Sequence, residues 1–203
     1  RRVRRALQTA VDNETVLQLG YGGRGGVAND THVGPMHPEH FPLPRHEADP
    51  AAARALMAEA GRLGHEHELV SVDDDWRRAT TDAIAAMLRD AGFRVRRRII
   101  PAASYAEDWR SYPYSTTNWN ARPLGVQVLA LAYRSGEAWN ETGFSDPDFD
   151  AALAAAMAVP DPTERRALME PVERILRGSG IIVQPYWRAV YRHMTARVRN
   201  FPA

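Results

Sequence analysis

The 203-residue sequence contains neither cysteine nor lysine. Without cysteine there is no disulfide, no thiol nucleophile and no thiolate zinc site, although the absence does not distinguish one compartment from another. All 26 basic residues are arginine, a bias of genomic rather than functional kind, and 25 acids balance them to a formal net charge of +1. No global field therefore gathers nucleic acid or anionic lipid. No run approaches the ~20 apolar residues of a membrane span. The opening Arg1-Arg2-Val3-Arg4-Arg5 turns amphipathic without the apolar stretch of a secretory signal, so the expectation from the residues alone is a cytosolic protein or an internal piece of a longer one.

Catalytic signatures are scarce too. There is no Gly-x-Ser-x-Gly, and the glycine-rich Gly20–Gly26 follows a helix and lacks the Lys-Ser/Thr of a phosphate loop, so it reads as a turn. The arginines of Arg94–Arg98 alternate with Val95 and Ile99 as the solvated side of a strand, and Asp73-Asp74-Asp75 suits a helix N-terminus. Seven histidines include His37-x-x-His40 and His65-x-His67. Those pairs are the sole visible route to a metal-dependent enzyme, yet no zinc-hydrolase helix accompanies them, and solvated loop histidines are the expectation. No catalytic residue, metal ligand or cofactor is assigned.

What is present is the composition of a folded α/β domain, 44% hydrophobic and 25% charged. Val3, Leu7, Ala10 and Val11 share a helical face, and the helix is expected to restart after Asp12-Asn13 and stop at Gly20. The Gly-, Pro- and His-rich Gly20–His46 segment has no periodicity and is expected to be mobile or paired with a neighbouring element. Asp49-Pro50, Asp146-Pro147 and Asp161-Pro162 each announce a helix, a capping carboxylate ahead of a proline at the first helical position. His67–Val72, a helix capped by Asp75, and Arg94–Ile100 form a strand–helix–strand unit expected to pair in parallel. A short helix over Ser104–Trp109, a third strand over Ser115–Asn120 and a buried helix over Leu124–Tyr133 follow. In the helix from Pro162, Pro171 predicts a kink or a break near Glu170. Ile181–Tyr186 and Ala189–Val198 read as strands. The sum is a mixed sheet flanked by helices.

Tyr114–Pro123 stands apart, with an indole, two amides and a guanidinium between Asn118 and Arg122. As a strand it projects Asn118, Asn120 and Arg122 to one side and Trp119 to the other. Such a cluster suits a ligand wall, while a turn around a core Trp is the plainer alternative.

In order along the chain, several segments resemble one family. Val3-Arg-Arg-Ala-Leu-Gln-Thr-Ala-Val-Asp-Asn-Glu14 resembles its first helix, and Asp49–Gly61 its "DPekAkaLLaeAG" helix. Ala83–Val95, Pro101–Tyr105, Phe144–Asp150 and Arg166–Tyr186 resemble later signatures. The family is that of the extracytoplasmic solute-binding proteins of ABC importers for dipeptides, oligopeptides and nickel chelates. The resemblance implies a periplasmic-binding-protein type II-like α/β lobe. Residues 1–203 would be the second lobe, without the first lobe and the C-terminal return to it. It further implies a periplasmic or extracytoplasmic, non-catalytic receptor that holds a solute between lobes and delivers it to the membrane permease, with no nucleic-acid partner. A sensor domain of a regulatory protein is the alternative. Peptide-binding relatives carry "gW-aD", in which the Trp lines the pocket and the Asp pairs with the peptide amine. Trp119 matches that Trp and Arg122 stands where the Asp is expected, which favours a carboxylate or phosphate over an ammonium. Tyr114, Trp139 and Asn140 are placed by the same resemblance on loops at that edge.

Overall fold

The computed structural model describes residues 1–199. Helix α1 (Arg2–Thr9) buries Ala6 and Leu7, and from there aspartates written into the sequence set most helix starts. Asp12 accepts the Thr15 N–H at 2.7 Å to open α2 (Asn13–Tyr21). Strand β1 (Gly25–Val27) follows, and Asp49 caps α3 (Pro50–Glu59) through Ala52 at 2.8 Å. After β2 (Glu66–Val72), Asp74 caps α4 (Asp75–Asp90), so the cap lies one residue before the expected Asp75, which occupies the first turn. Next come β3 (Arg94–Ile100), α5 (Ala102–Asp108) and α6 (Gly125–Ala132). Asp146 and Asp161 each accept two backbone N–H groups at the starts of α7 (Pro147–Met157) and α8 (Pro162–Ser179), and β4 (Tyr186–Arg188) closes the order. Each cap satisfies donors that the helix cannot bond itself.

β2 and β3 pair in parallel over seven residues, from Glu66 opposite Arg94 to Val72 opposite Ile100. β1 and β4 pair antiparallel, Gly25 opposite Arg188. The expected mixture of pairing senses is thus divided between two two-stranded sheets. A first core gathers Leu7, Met57, Leu69, Ile84 and Leu88 from α1, α3, β2 and α4, with Val11 from the α1–α2 link. A second gathers Leu129, Phe149, Leu153, Met169, Val172 and Leu176 from α6, α7 and α8.

Several local expectations change. Helix α2 runs through Gly20 and ends at Gly22, whose φ of 60° makes the left-handed cap. Gly20 is there for contact: a Cβ on it would lie 2.5 Å from Thr80 Oγ1, so its lack of a side chain lets α2 approach α4. The Ser115–Asn120 strand shrinks to one bridge, Val70 with Ser115, because no strand lies beyond it to take the next backbone groups. Ala189–Val198 forms no strand. Val190, Tyr191, Met194 and Val198 are exposed there, with no neighbour to bury an apolar face. Pro171 lies inside a continuous α8, so of the two expected outcomes the break at Glu170 does not occur. The expected Ile181–Tyr186 strand is reduced to Tyr186, the first residue of β4. No helix among the described residues is long and apolar enough to cross a membrane.

The Gly20–His46 segment is stitched down despite having only one strand. The backbones of Asp30 and Gln184 bond, and Asp30 Oδ1 also accepts the Gln184 N–H at 2.9 Å. His46 Nε2 donates to the Val11 carbonyl and places Nδ1 3.5 Å from Asp30 Oδ2. Burial pushes the Asp30 carboxyl up to about 6 against the opposing pull of His46. Glu39, fully buried, accepts the Val126 N–H at the start of α6 and faces Arg165 at 3.4 Å.

Candidate ligand cleft

Between the two cores runs a cleft of about 1120 Å³. Leu69 and Ile84 border it from the first core, and Val128 and Tyr133 from the second. Its size is that of a small-molecule or short-peptide site. One wall is the Tyr114–Arg122 segment, whose beginning is nailed to the sheet. Val70 donates to the Tyr114 carbonyl at 3.0 Å and accepts from Thr116 at 2.8 Å. Thr116 Oγ1 meets Thr81 Oγ1 of α4 at 2.6 Å, and Ser115 Oγ meets Tyr105 Oη of α5 at 3.2 Å. Beyond Thr116 the backbone leaves the ladder and becomes the wall itself.

Tyr114, Asn118, Trp119, Asn120 and Arg122 all line the cleft. The expected division, with Trp119 on the side opposite Asn118, Asn120 and Arg122, does not hold because the segment is not a regular strand. Among the described residues Arg122 makes no ion pair or hydrogen bond. Trp139 stands behind Trp119, ring centroids 6.0 Å apart, and is 52% exposed without lining the cleft. Asn140 is a bracket of its own loop and also lies outside the lining. Its Nδ2 donates to the Phe144 carbonyl at 2.7 Å, and its Oδ1 accepts from Thr142 Oγ1 and the Phe144 N–H.

Among the lining residues not assigned to the site from the sequence are Glu141, His32 and Tyr133. Glu141 Oε1 accepts the Trp119 indole N–H at 2.8 Å. Burial raises its pKa, and the neutral Trp119 and Thr117 side chains only partly offset that. His32 is edge-on to Trp119 and to Tyr133, at 6.0 and 5.7 Å, and its Nδ1 lies 2.9 Å from Tyr133 Oη. Burial, helped by His37, pulls the His32 pKa down to about 4, so the ring is neutral at physiological pH. Burial first, then the negative charges of Glu141 and Glu173, raises the Tyr133 pKa, and the phenol keeps its proton. The available signal was adjacency: Glu141 directly follows Trp139-Asn140, and His32 sits in the unpatterned segment already marked as unusual. Tyr114, His67 and Trp187 also line the cleft, and their Oη, Nε2 and Nε1 atoms are buried without a hydrogen-bond partner among the described residues. Among the described residues no group of three or more His, Asp or Glu could hold a metal ion, and His65 and His67 form only a ring contact.

Residues 1–141 match the family described as bacterial extracellular solute-binding proteins, family 5 middle. The chain belongs to that family. Its α/β fold is that of the type II periplasmic binding proteins, as similar solved structures show. It is similar to the ABC transporter substrate-binding protein CtaP from Listeria monocytogenes, at 15% identity and a TM-score of 0.83, over 92% of this chain and 40% of that one. The oligopeptide-binding protein AppA from Bacillus subtilis, solved with a nonapeptide, matches at 18% identity and a TM-score of 0.80, over 92% and 41%. NikA from Staphylococcus aureus, solved with Ni(L-His)2, matches at 16% and 0.76, over 91% and 41%. The chain therefore spans 40–41% of the length of these solved structures. None of the curated proteins compared with it matches.

Proposed function

We propose that the chain is the second lobe of a non-catalytic solute receptor that feeds an ABC importer outside the cytoplasm. The cleft takes a peptide-like or other small polar solute with an acidic group, a first lobe closes over it, and the loaded receptor docks on the permease subunits. Family membership and the type II fold support receptor function over catalysis. One observation carries the nature of the solute: Arg122 lines the cleft, as Trp119 does, and has no ion-pair partner among the described residues. A guanidinium so placed offers two parallel donors to a carboxylate or phosphate, while the indole supplies apolar contact area. Closure around the ligand is the hinge motion that turns binding into a signal to a membrane partner.

Isothermal titration of the full-length protein against short peptides that differ only in carrying an acid or the matching amide tests the reading. The acidic member is expected to bind more tightly, and Arg122→Ala is expected to weaken it by roughly 10- to 100-fold, the worth of a charge-assisted bond. Undiminished affinity for the acidic member after that substitution overturns the anion reading.

A further inference from the structure

The cleft gathers arginine without gathering acid to match. Arg4, Arg62, Arg110, Arg122 and Arg188 line it, and none of them forms an ion pair among the described residues. Arg110 donates instead to the Ala138 carbonyl at 2.7 Å. Of the glutamates in the lining, Glu66 and Glu68 are already taken by arginines that stand outside it, with Arg96 3.2 Å from Glu66 and Arg98 3.4 Å from Glu68. Burial favours the protonated form of the remaining one, Glu141. The chain as a whole has a formal net charge of only +1, so the excess is local to the cleft. A concave surface of one sign draws in solutes of the other.

Arg188 is the best fixed of these arginines. It stands on β4, with its guanidinium carbon 4.5 Å from the centre of the Trp76 ring and 6.0 Å from that of Tyr21. Stacking holds a guanidinium by its face and leaves its in-plane N–H groups free for an oxyanion. The acid at the start of α4 does not meet that need, because Asp74 already holds Arg77, with Nε at 2.6 Å and the backbone N–H at 2.8 Å.

We propose that the cleft selects a solute with at least two acidic groups, and that Arg188 is a second anion-binding residue alongside Arg122. Arg122 belongs to the wall segment and Arg188 to β4, so two separate elements each supply a guanidinium fork. One carboxylate, bound in the bidentate mode, satisfies one fork and leaves the other unmet. The inference rests on the reading of this cleft as a solute site and deepens it from one acid to several.

The test titrates the full-length protein with citrate, a tricarboxylate, and with acetate, a monocarboxylate, at an ionic strength held constant with sodium chloride. The readouts are the indole N–H resonances of Trp76, beneath Arg188, and of Trp119. Citrate is expected to shift the Trp76 resonance saturably and to bind roughly 10-fold more tightly than acetate. Arg188→Gln removes the charge from an exposed side chain and is expected to lower citrate affinity about 10-fold while leaving acetate within about 2-fold. An unmoved Trp119 resonance in the unliganded variant shows that the fold is kept. Equal affinities for the two probes, no saturable shift with citrate, or citrate binding indifferent to Arg188→Gln each overturns the inference. An equal loss for citrate and acetate overturns it as well, because Arg188 then does not read a second acid. An acidic peptide indifferent to Arg122→Ala removes Arg122 from the anion reading and leaves the citrate response to Arg188→Gln as it stands, so the two proposals fail separately.

Discussion

The β2–α4–β3 unit and the α6–α8 bundle use charge in opposite ways. On the first, most arginine pairs lie towards solvent. Arg96 reaches Glu66 at 3.2 Å and Glu68 at 2.5 Å, and Arg98 reaches Glu68 at 3.4 Å. These pairs decorate a unit whose stability comes from Leu69, Ile84 and Leu88 beneath. In the second, Arg165 and Glu39 are almost fully buried. Arg165 donates to the carbonyls of Ala156, Val159 and Pro160 at the end of α7, while Glu39 accepts from Val126 at the start of α6. One buried pair thus terminates one helix and begins another. The side-chain type is the same, and desolvation decides whether it is ornament or framework.

The largest expected effect breaks the buried pair. Arg165→Ala leaves Glu39 buried without its partner and the α7 carbonyls without donors. It is expected to cost about 3–5 kcal/mol in denaturant unfolding. A loss below about 1 kcal/mol would erase the contrast between the two halves.

Next is Glu173, buried in α8 with neither carboxylate oxygen bonded. Burial pushes its pKa up to about 8 from an ordinary 4.5, and Arg177 only partly opposes this. Between these values the native chain holds a proton that the unfolded chain has lost. Stability therefore falls as pH rises through that window, by at most about 1.4 kcal/mol per pH unit. Glu173→Gln is expected to remove this slope and to stabilise the protein at pH 8 by on the order of 2 kcal/mol. Thermal melts from pH 5 to about 8 check it, and parallel pH profiles for the two proteins refute it. Tyr133 feels the same charge, so its ring environment reports the titration independently.

Smaller effects sharpen the contrast. Asp146→Ala removes a side chain that accepts from Asp148 and Phe149, and is expected to cost about 1 kcal/mol by urea unfolding. Arg96→Ala strips two pairs from the exposed strand and is expected to cost no more than about 1 kcal/mol, with that small effect fading in high salt.

The half with local instructions was the legible one. Asp49, Asp146 and Asp161 announced their helices, and the strand–helix–strand unit follows from periodicity because its pairing partners are separated only by α4. What the sequence could not carry was distance. β1 opposite β4, Glu39 opposite Arg165 and Glu141 beneath Trp119 join residues with no shared local pattern. The candidate wall was visible because unusual side chains crowd into Asn118–Arg122, and the type of Arg122 argued for itself. Its geometry was not visible: regular alternation needs a strand, and the ladder stops after Ser115. Asn140, an amide expected at the same edge, bonds within its own loop to Phe144, Tyr133 and Arg134, partners that no local pattern announces.

The pairing of Gly25 with Arg188 also fixes an order of events. Synthesis at ~5–20 residues per second leaves β1 waiting on the order of ten seconds or more for its partner strand. Meanwhile the β2–α4–β3 unit has all its own pieces. The chain can therefore mature in two stages, an early parallel unit and a late antiparallel seam, with the exposed β1 edge the point at which an unfinished molecule is open to mispairing.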